Sequence, residues 1–146
     1  MPYAYLEDRA TADVAFKAWG KTLEELFASC ADALLAIMVS KPENICPADE
    51  KTINLQAETL DFLLHQFLQE IIYLKDAQQL FLKVKSISIK PIKDDKGLWN
   101  LQAILIGEPI EIHKDDLLAD VKGITFHDFS LEKKGNHWEA TITVDV

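Results

Sequence analysis

Two apolar helical stripes, two hairpin signals and several alternating segments predict an α+β domain with a mostly antiparallel sheet and two main helices packed on one face. At 146 residues the chain is long enough for one domain with a real core and too short for two, so residues 1–146 read as a single domain. No internal repeat, low-complexity tract or Gly/Ser linker interrupts it.

The elements follow in order. Asp13-Val14-Ala15-Phe16-Lys17-Ala18-Trp19 alternates and meets Gly20, which reads as a strand ending in a turn. Thr22 is placed to cap a helix, with Glu25 completing a capping box. Leu23, Leu26, Phe27, Cys30, Leu34, Leu35 and Met38 then recur at helical spacing, and Ser40-Lys41-Pro42 ends the run. Lys51 to Ala57 alternates again. Thr59 caps a longer helix whose stripe is Leu60, Leu63, Leu64, Phe67, Leu68, Ile71 and Ile72. Residues 80–92 and 98–106 read as strands joined across Asp94-Asp95-Lys96-Gly97, because Asp and Gly accept the positive φ of tight turns. Residues 121–132 and 137–145 make a second hairpin across Lys133-Lys134-Gly135-Asn136. Lys114 to Asp120 reads as a loop or short helical turn.

Composition narrows the function. Twenty-four acidic against fifteen basic residues give a net charge of −9, which argues against direct binding to a nucleic-acid backbone. No apolar run reaches the ~20 residues needed to cross a bilayer. The opening Met1-Pro2-Tyr3-Ala4-Tyr5-Leu6-Glu7-Asp8 has neither a basic nor an apolar signal region, so no signal peptide and a cytoplasmic address are expected. Cys30 and Cys46 have no motif spacing, and Cys30 lies on the first apolar stripe, so a reduced, buried thiol is expected there.

The residues with chemical potential are few. The sequence stops inside the alternating run from Trp138 to Val146. A terminus held in a sheet keeps its carboxylate in place. Asp145, the Val146 carboxylate and Asp13 would together form a hard oxygen site for Ca²⁺ or Mg²⁺, provided the first and last strands are neighbours. The plain alternative is a sheet that ends at the C-terminus, with Asp13 closing a turn. His127 and Asp128 are adjacent in a predicted strand, so their side chains should point to opposite faces and not meet. His65, His113 and His137 are scattered without ligand spacing. No Gly-rich phosphate loop, GxSxG or CxxC occurs.

Five stretches, taken together and in order, resemble the archease family. They are Tyr5-Leu6-Glu7-Asp8 followed by Thr11-Ala12-Asp13-Val14; Gly20 to Phe27; Leu60 to Leu64 with Phe67, Leu68 and Glu70; Lys122-Gly123-Ile124-Thr125-Phe126-His127; and the closing Val144-Asp145-Val146. The family has His before its Thr-Ala-Asp triplet, and Ala10 stands there in this chain. The resemblance implies a non-catalytic activator of the RtcB-type RNA ligase, which joins a 2′,3′-cyclic or 3′-phosphate RNA end to a 5′-hydroxyl in tRNA splicing and repair. It implies that the protein promotes guanylylation of the ligase and its multiple turnover. It also implies a divalent cation, calcium, on Asp13, Asp145 and Val146, with Lys122 and His127 facing the partner. Two rival readings are a metal-dependent hydrolase using the same carboxylates with His127, and a general chaperone-like protein-binding module.

Overall fold

The computed structural model describes residues 2–6, 13–93 and 97–146. Along the chain it places β1 (Tyr3–Leu6), β2 (Asp13–Gly20), α1 (Leu23–Met38), β3 (Asp49–Ala57), α2 (Leu60–Gln78), β4 (Leu80–Pro91), β5 (Trp99–Pro109), β6 (Gly123–Lys134) and β7 (His137–Asp145), with 3₁₀ turns at Pro42–Asn44 and Ile110–Asp116. The α+β class holds, and every strand pairing is antiparallel. The strands divide between two sheets, one ordered β1-β2-β7-β6 and the other β3-β5-β4. The two helices lie between them. α1 packs against β2 on one side and β4 on the other, and α2 packs against β6 and against β3 and β4. Each sheet is therefore covered on one face by the same pair of helices.

This layering explains why α1 is buried on more than its predicted stripe. Besides Leu26, Phe27, Cys30, Leu34, Leu35 and Met38, it buries Ser29, Ala31, Ala33 and Ile37, the small residues giving the sheets close approach. Phe27 and Phe67 meet between the helices with ring centroids 5.8 Å apart. Cys30 is buried and free, as expected, and burial pushes its thiol pKa up.

Both predicted caps form. Thr22 Oγ1 accepts from the Glu25 N–H at 3.1 Å, and Thr59 Oγ1 accepts from the Phe62 N–H at 3.2 Å. The Glu25 carboxylate reaches back to the Lys21 N–H at 2.8 Å, one residue upstream of the usual capping-box partner. In the first hairpin Asp94, Asp95 and Lys96 lie outside the described residues. The Ile92 N–H donates to Leu98 O at 2.8 Å across its base. The second hairpin is tighter than the sequence suggests, since β6 runs through Lys134 and only Gly135 and Asn136 form the loop. Gly135 holds φ +64°, the conformation that a two-residue turn of this kind requires at its first position. Gly107 answers to a different demand, because a Cβ there would collide with the Phe81 carbonyl of the adjacent strand.

The segment after β5 is more ordered than a plain loop. The 3₁₀ turn carries buried His113, whose Nε2 lies 2.6 Å from Glu108 Oε1. A backbone hydrogen bond at Cys46 is the main cause holding the Glu108 carboxyl below its usual range; burial opposes it and His113 supports it. His113 is thus a structural tie between β5 and the turn that follows.

At the C-terminal end of α2 the Lys75 side chain, 7% exposed, donates to Asp120 Oδ1 at 3.0 Å and to Val121 O at 2.8 Å and pairs with Asp76. Burial pulls its pKa down, but Asp76 and Asp120 more than offset that and the net shift is upward. A raised folded value means the stabilisation is complete below the free lysine value of about 10.5 and is lost as pH climbs through the folded one. Lys75→Met is expected to cost stability at pH 8 and progressively less above about pH 11. Paired urea melts of both chains across that range measure the difference, and a constant gap would remove the charge from the account.

Candidate metal centre

Register brings the two predicted aspartates together. β2 and β7 pair without interruption from Asp13 opposite Asp145 to Gly20 opposite Trp138. Residues directly opposite share a face, with Cβ atoms about 4.5–5.5 Å apart. Val14, Phe16 and Ala18 face the helices together with Val144, Ile142 and Ala140, which are all buried or packed on the core. Alternation then sets Asp13 and Asp145 on the opposite, outward face, both half-exposed.

The surroundings hold this end of the sheet in place. β7 is flanked on its other side by β6, where Gly123 stands opposite Asp145. The Lys122 N–H donates to Asp145 O at 2.8 Å, so the backbone of the predicted partner-facing lysine is tied to the predicted ligand, and its side chain is exposed. Val146 is half-buried and packs against the core, which restrains the last residue after the strand ends. Thr11, Ala12 and Ala10 lie outside the described residues.

The donor set fits a hard divalent cation. Asp13 and Asp145 supply two carboxylates in register, and Val146 follows Asp145 directly. Among the described residues no third His, Cys, Asp or Glu side chain joins them to complete a cluster. Backbone carbonyls and water would supply the remaining oxygens that Ca²⁺ takes. One more observation belongs to this face. Thr143, two residues before Asp145, is 1% exposed, and its hydroxyl has no hydrogen-bond partner among the described residues. A buried hydroxyl left unpaired costs about 1–3 kcal/mol, so its presence needs a reason.

His127 stands apart. The β6–β7 register slips between Thr125 and Ser130, and Asp128 takes φ +55° inside that bulge. This corrects the expectation from strand alternation: His127 Nε2 and Asp128 Oδ2 do meet, at 3.3 Å. The bulge breaks the pleat that would have separated them. The His127 side chain is 73% exposed, and the backbone N–H of His127 donates to Thr125 Oγ1 at 3.1 Å. Thr125 pairs with Thr143, so His127 sits further along β6 than the carboxylate pair.

The bulge also builds a feature that residue spacing alone does not reveal. Phe126 stacks on His65 of α2, with centroids 4.0 Å apart and planes 10° from parallel. Phe62 and Phe129 pack edge-on or tilted against Phe126 at 5.7 and 5.5 Å. Phe62 and Phe126 remain about half exposed. His65 Nε2 lies 2.9 Å from Ile124 O and therefore carries the proton, since a carbonyl only accepts. The Gln69 carbonyl accepts from the Ile124 N–H at 2.6 Å. These two contacts fix β6 to α2 just beyond Gly123. The sequence signal was the pair Phe62 and His65, three apart on the polar side of α2.

A family model described as the Archease protein family (MTH1598/TM1083) matches residues 3–146. The chain belongs to the archease family. Among curated relatives, protein archease of Methanosarcina mazei is 29% identical over 145 residues, covering 99% of this chain and 95% of its own. Protein archease of Pyrococcus furiosus is 32% identical over 143 residues, covering 93% and 94%. The solution structure of protein 1598 of Methanobacterium thermoautotrophicum superposes with a TM-score of 0.81 at 25% identity, covering 99% of each chain. The crystal structure of an archease from Thermotoga maritima, described as a possible chaperone, superposes with a TM-score of 0.63 at 18% identity, covering 97% of this chain and 96% of that one. The second of these shares the fold. In this chain the acidic pair lies at the ends of β2 and β7, and β6 carries the segment from Gly123 to His127 beside it. No helix among the described residues is long and apolar enough to cross a membrane.

Proposed function

We propose that this archease is a non-catalytic protein cofactor of an RtcB-type RNA ligase in the cytoplasm, promoting its guanylylation and multiple turnover in tRNA splicing and RNA repair. The observation that carries the reading is the pairing of Asp13 with Asp145, which turns two residues at opposite ends of the chain into one carboxylate site. A calcium ion held there would supply neutralisation of the repulsion between the two carboxylates. Asp13 and Asp145 would hold it and so join the ends of β2 and β7, with the Val146 terminus as the third oxygen donor. Lys122, tied by its backbone to Asp145, and His127 on the bulge offer exposed cationic and hydrogen-bonding groups to the ligase beside that tip. The gain in ligase rate is bounded by how much better this surface binds the guanylylation-competent state than the resting one. The net charge of −9 suits a visitor to a cleft built for nucleic acid.

The test is multiple-turnover RNA ligation by the cognate ligase, at limiting ligase, with and without this protein. Many products per ligase are expected with the wild type, and a return to the unstimulated level with Asp13→Ala. No stimulation by the wild type, or equal stimulation by the variant, overturns the reading. The half-exposed Phe62–Phe126 cluster favours a second reading, a chaperone-like module that contacts apolar protein surface. Protection of unrelated aggregating clients, undiminished by Asp13→Ala, would support that reading instead.

A further inference from the structure

Thr143 occupies the place directly behind the carboxylate pair. On β7 it shares the outward face with Asp145, and the unbroken β2–β7 register puts Ala15 opposite it, one step inward from Asp13. Ala15 is fully buried and offers only a methyl group. On the other side stands Thr125, whose Oγ1 already accepts from the His127 N–H. The Thr143 hydroxyl is shielded from solvent and has no partner among the described residues. The next side chains outward on its face are Asp145 and, across from it, Asp13.

Same-face residues two apart on a strand lie about 6.5–7 Å from one another. A threonine hydroxyl and an aspartate carboxylate each extend from their Cβ far enough to close that gap to hydrogen-bond length. Without a cation, two like charges facing each other favour carboxylates turned toward water. With one, the ligating oxygens turn to the metal and each carboxylate keeps a second oxygen to be satisfied. Ligating carboxylates are themselves held by outer hydrogen bonds that tune affinity.

We propose that Thr143 is a positioning residue of the cation site, its hydroxyl donating to the non-ligating oxygen of the Asp13–Asp145 pair when a divalent cation is held. The proposal rests on the reading that these aspartates bind such a cation. It assigns the orphaned hydroxyl a partner that forms only in the loaded state.

The experiment uses the full chain with a free C-terminus, stripped with chelator and titrated with CaCl₂ by calorimetry, alongside thermal unfolding with and without Ca²⁺. Thr143→Val removes the hydroxyl at constant shape. It should melt at or above the wild type without metal, bind Ca²⁺ about 10–100-fold more weakly, and show a smaller Ca²⁺-induced rise in Tm. Thr143→Ser, which keeps the hydroxyl, should recover most of the affinity. Wild-type affinity in Thr143→Val overturns the proposal and leaves the carboxylate site standing. A loss of affinity equal in both variants also overturns it, because Thr143→Ser keeps the hydroxyl and the effect then follows the packing at this position and not the hydrogen bond. A metal-free Thr143→Val that melts below the wild type gives the hydroxyl a partner already in the empty state, which again overturns it. No Ca²⁺ binding by the wild type overturns both the site and the role of Thr143.

Discussion

Phe67→Ala is expected to destabilise the protein by about 3–5 kcal/mol, a large part of the 5–15 kcal/mol typical of a whole domain. Phe67 is fully buried and meets Phe27 at the helix–helix contact, between two sheets. A cavity opened there is walled on both sides, by the sheet of β2 and β7 and by the sheet of β4 and β5, so neighbours have little freedom to collapse into it. Phe62 supplies the control. It lies on the same helix, is 52% exposed, and touches Phe126 at the surface. Phe62→Ala should therefore cost under about 1 kcal/mol. Urea titrations should show the midpoint falling steeply for the first variant and barely for the second, with unchanged slope. Equal losses would mean that the helices do not lie between the sheets.

The contrast between Phe67 and Phe62 also shows what the sequence made legible. Helical periodicity separates them, because it needs only local spacing, and the Thr22 and Thr59 caps are local in the same way. The partition of strands into two sheets is not local. Nothing in the alternation of Lys51–Ala57 distinguishes pairing with β5 from pairing with β7. The burial of α1 beyond its stripe, at Ala31, Ala33 and Ile37, depends in the same way on the second sheet.

At the site, Asp13 and Asp145 could be named as candidates from their chemistry, but their adjacency depends on a strand pairing across most of the chain. The contact of His127 with Asp128 was hidden for another reason. Alternation assumes an unbroken pleat, and the left-handed Asp128 breaks it. Thr143 carries no signal in sequence at all. An unpartnered hydroxyl is a property of everything packed around it.

The carboxylate pair makes the other large prediction, and its two parts have opposite signs. Like charges directly opposite on a sheet destabilise it, by up to about 1 kcal/mol. Without metal, Asp145→Asn should therefore be slightly more stable than the wild type, since the amide keeps the size and removes the repulsion. In Ca²⁺ the order should reverse. Saturation of the wild type at 100 times its Kd adds about 2.7 kcal/mol, and a variant that has lost a charged ligand forgoes most of it. A C-terminal extension tests the third donor separately, because it converts the Val146 carboxylate to an amide and leaves both aspartates untouched. The extended chain should lose part of the Ca²⁺ response, and an extension at the N-terminus none of it. Thermal unfolding of the four chains, each with chelator and with Ca²⁺, reads all of these effects. If Asp145→Asn keeps the full Ca²⁺ increment, the register that joins Asp13 to Asp145 is a feature of the sheet alone. A reversal of order between the two conditions ties stability, metal and the strand pairing to the same two carboxylates.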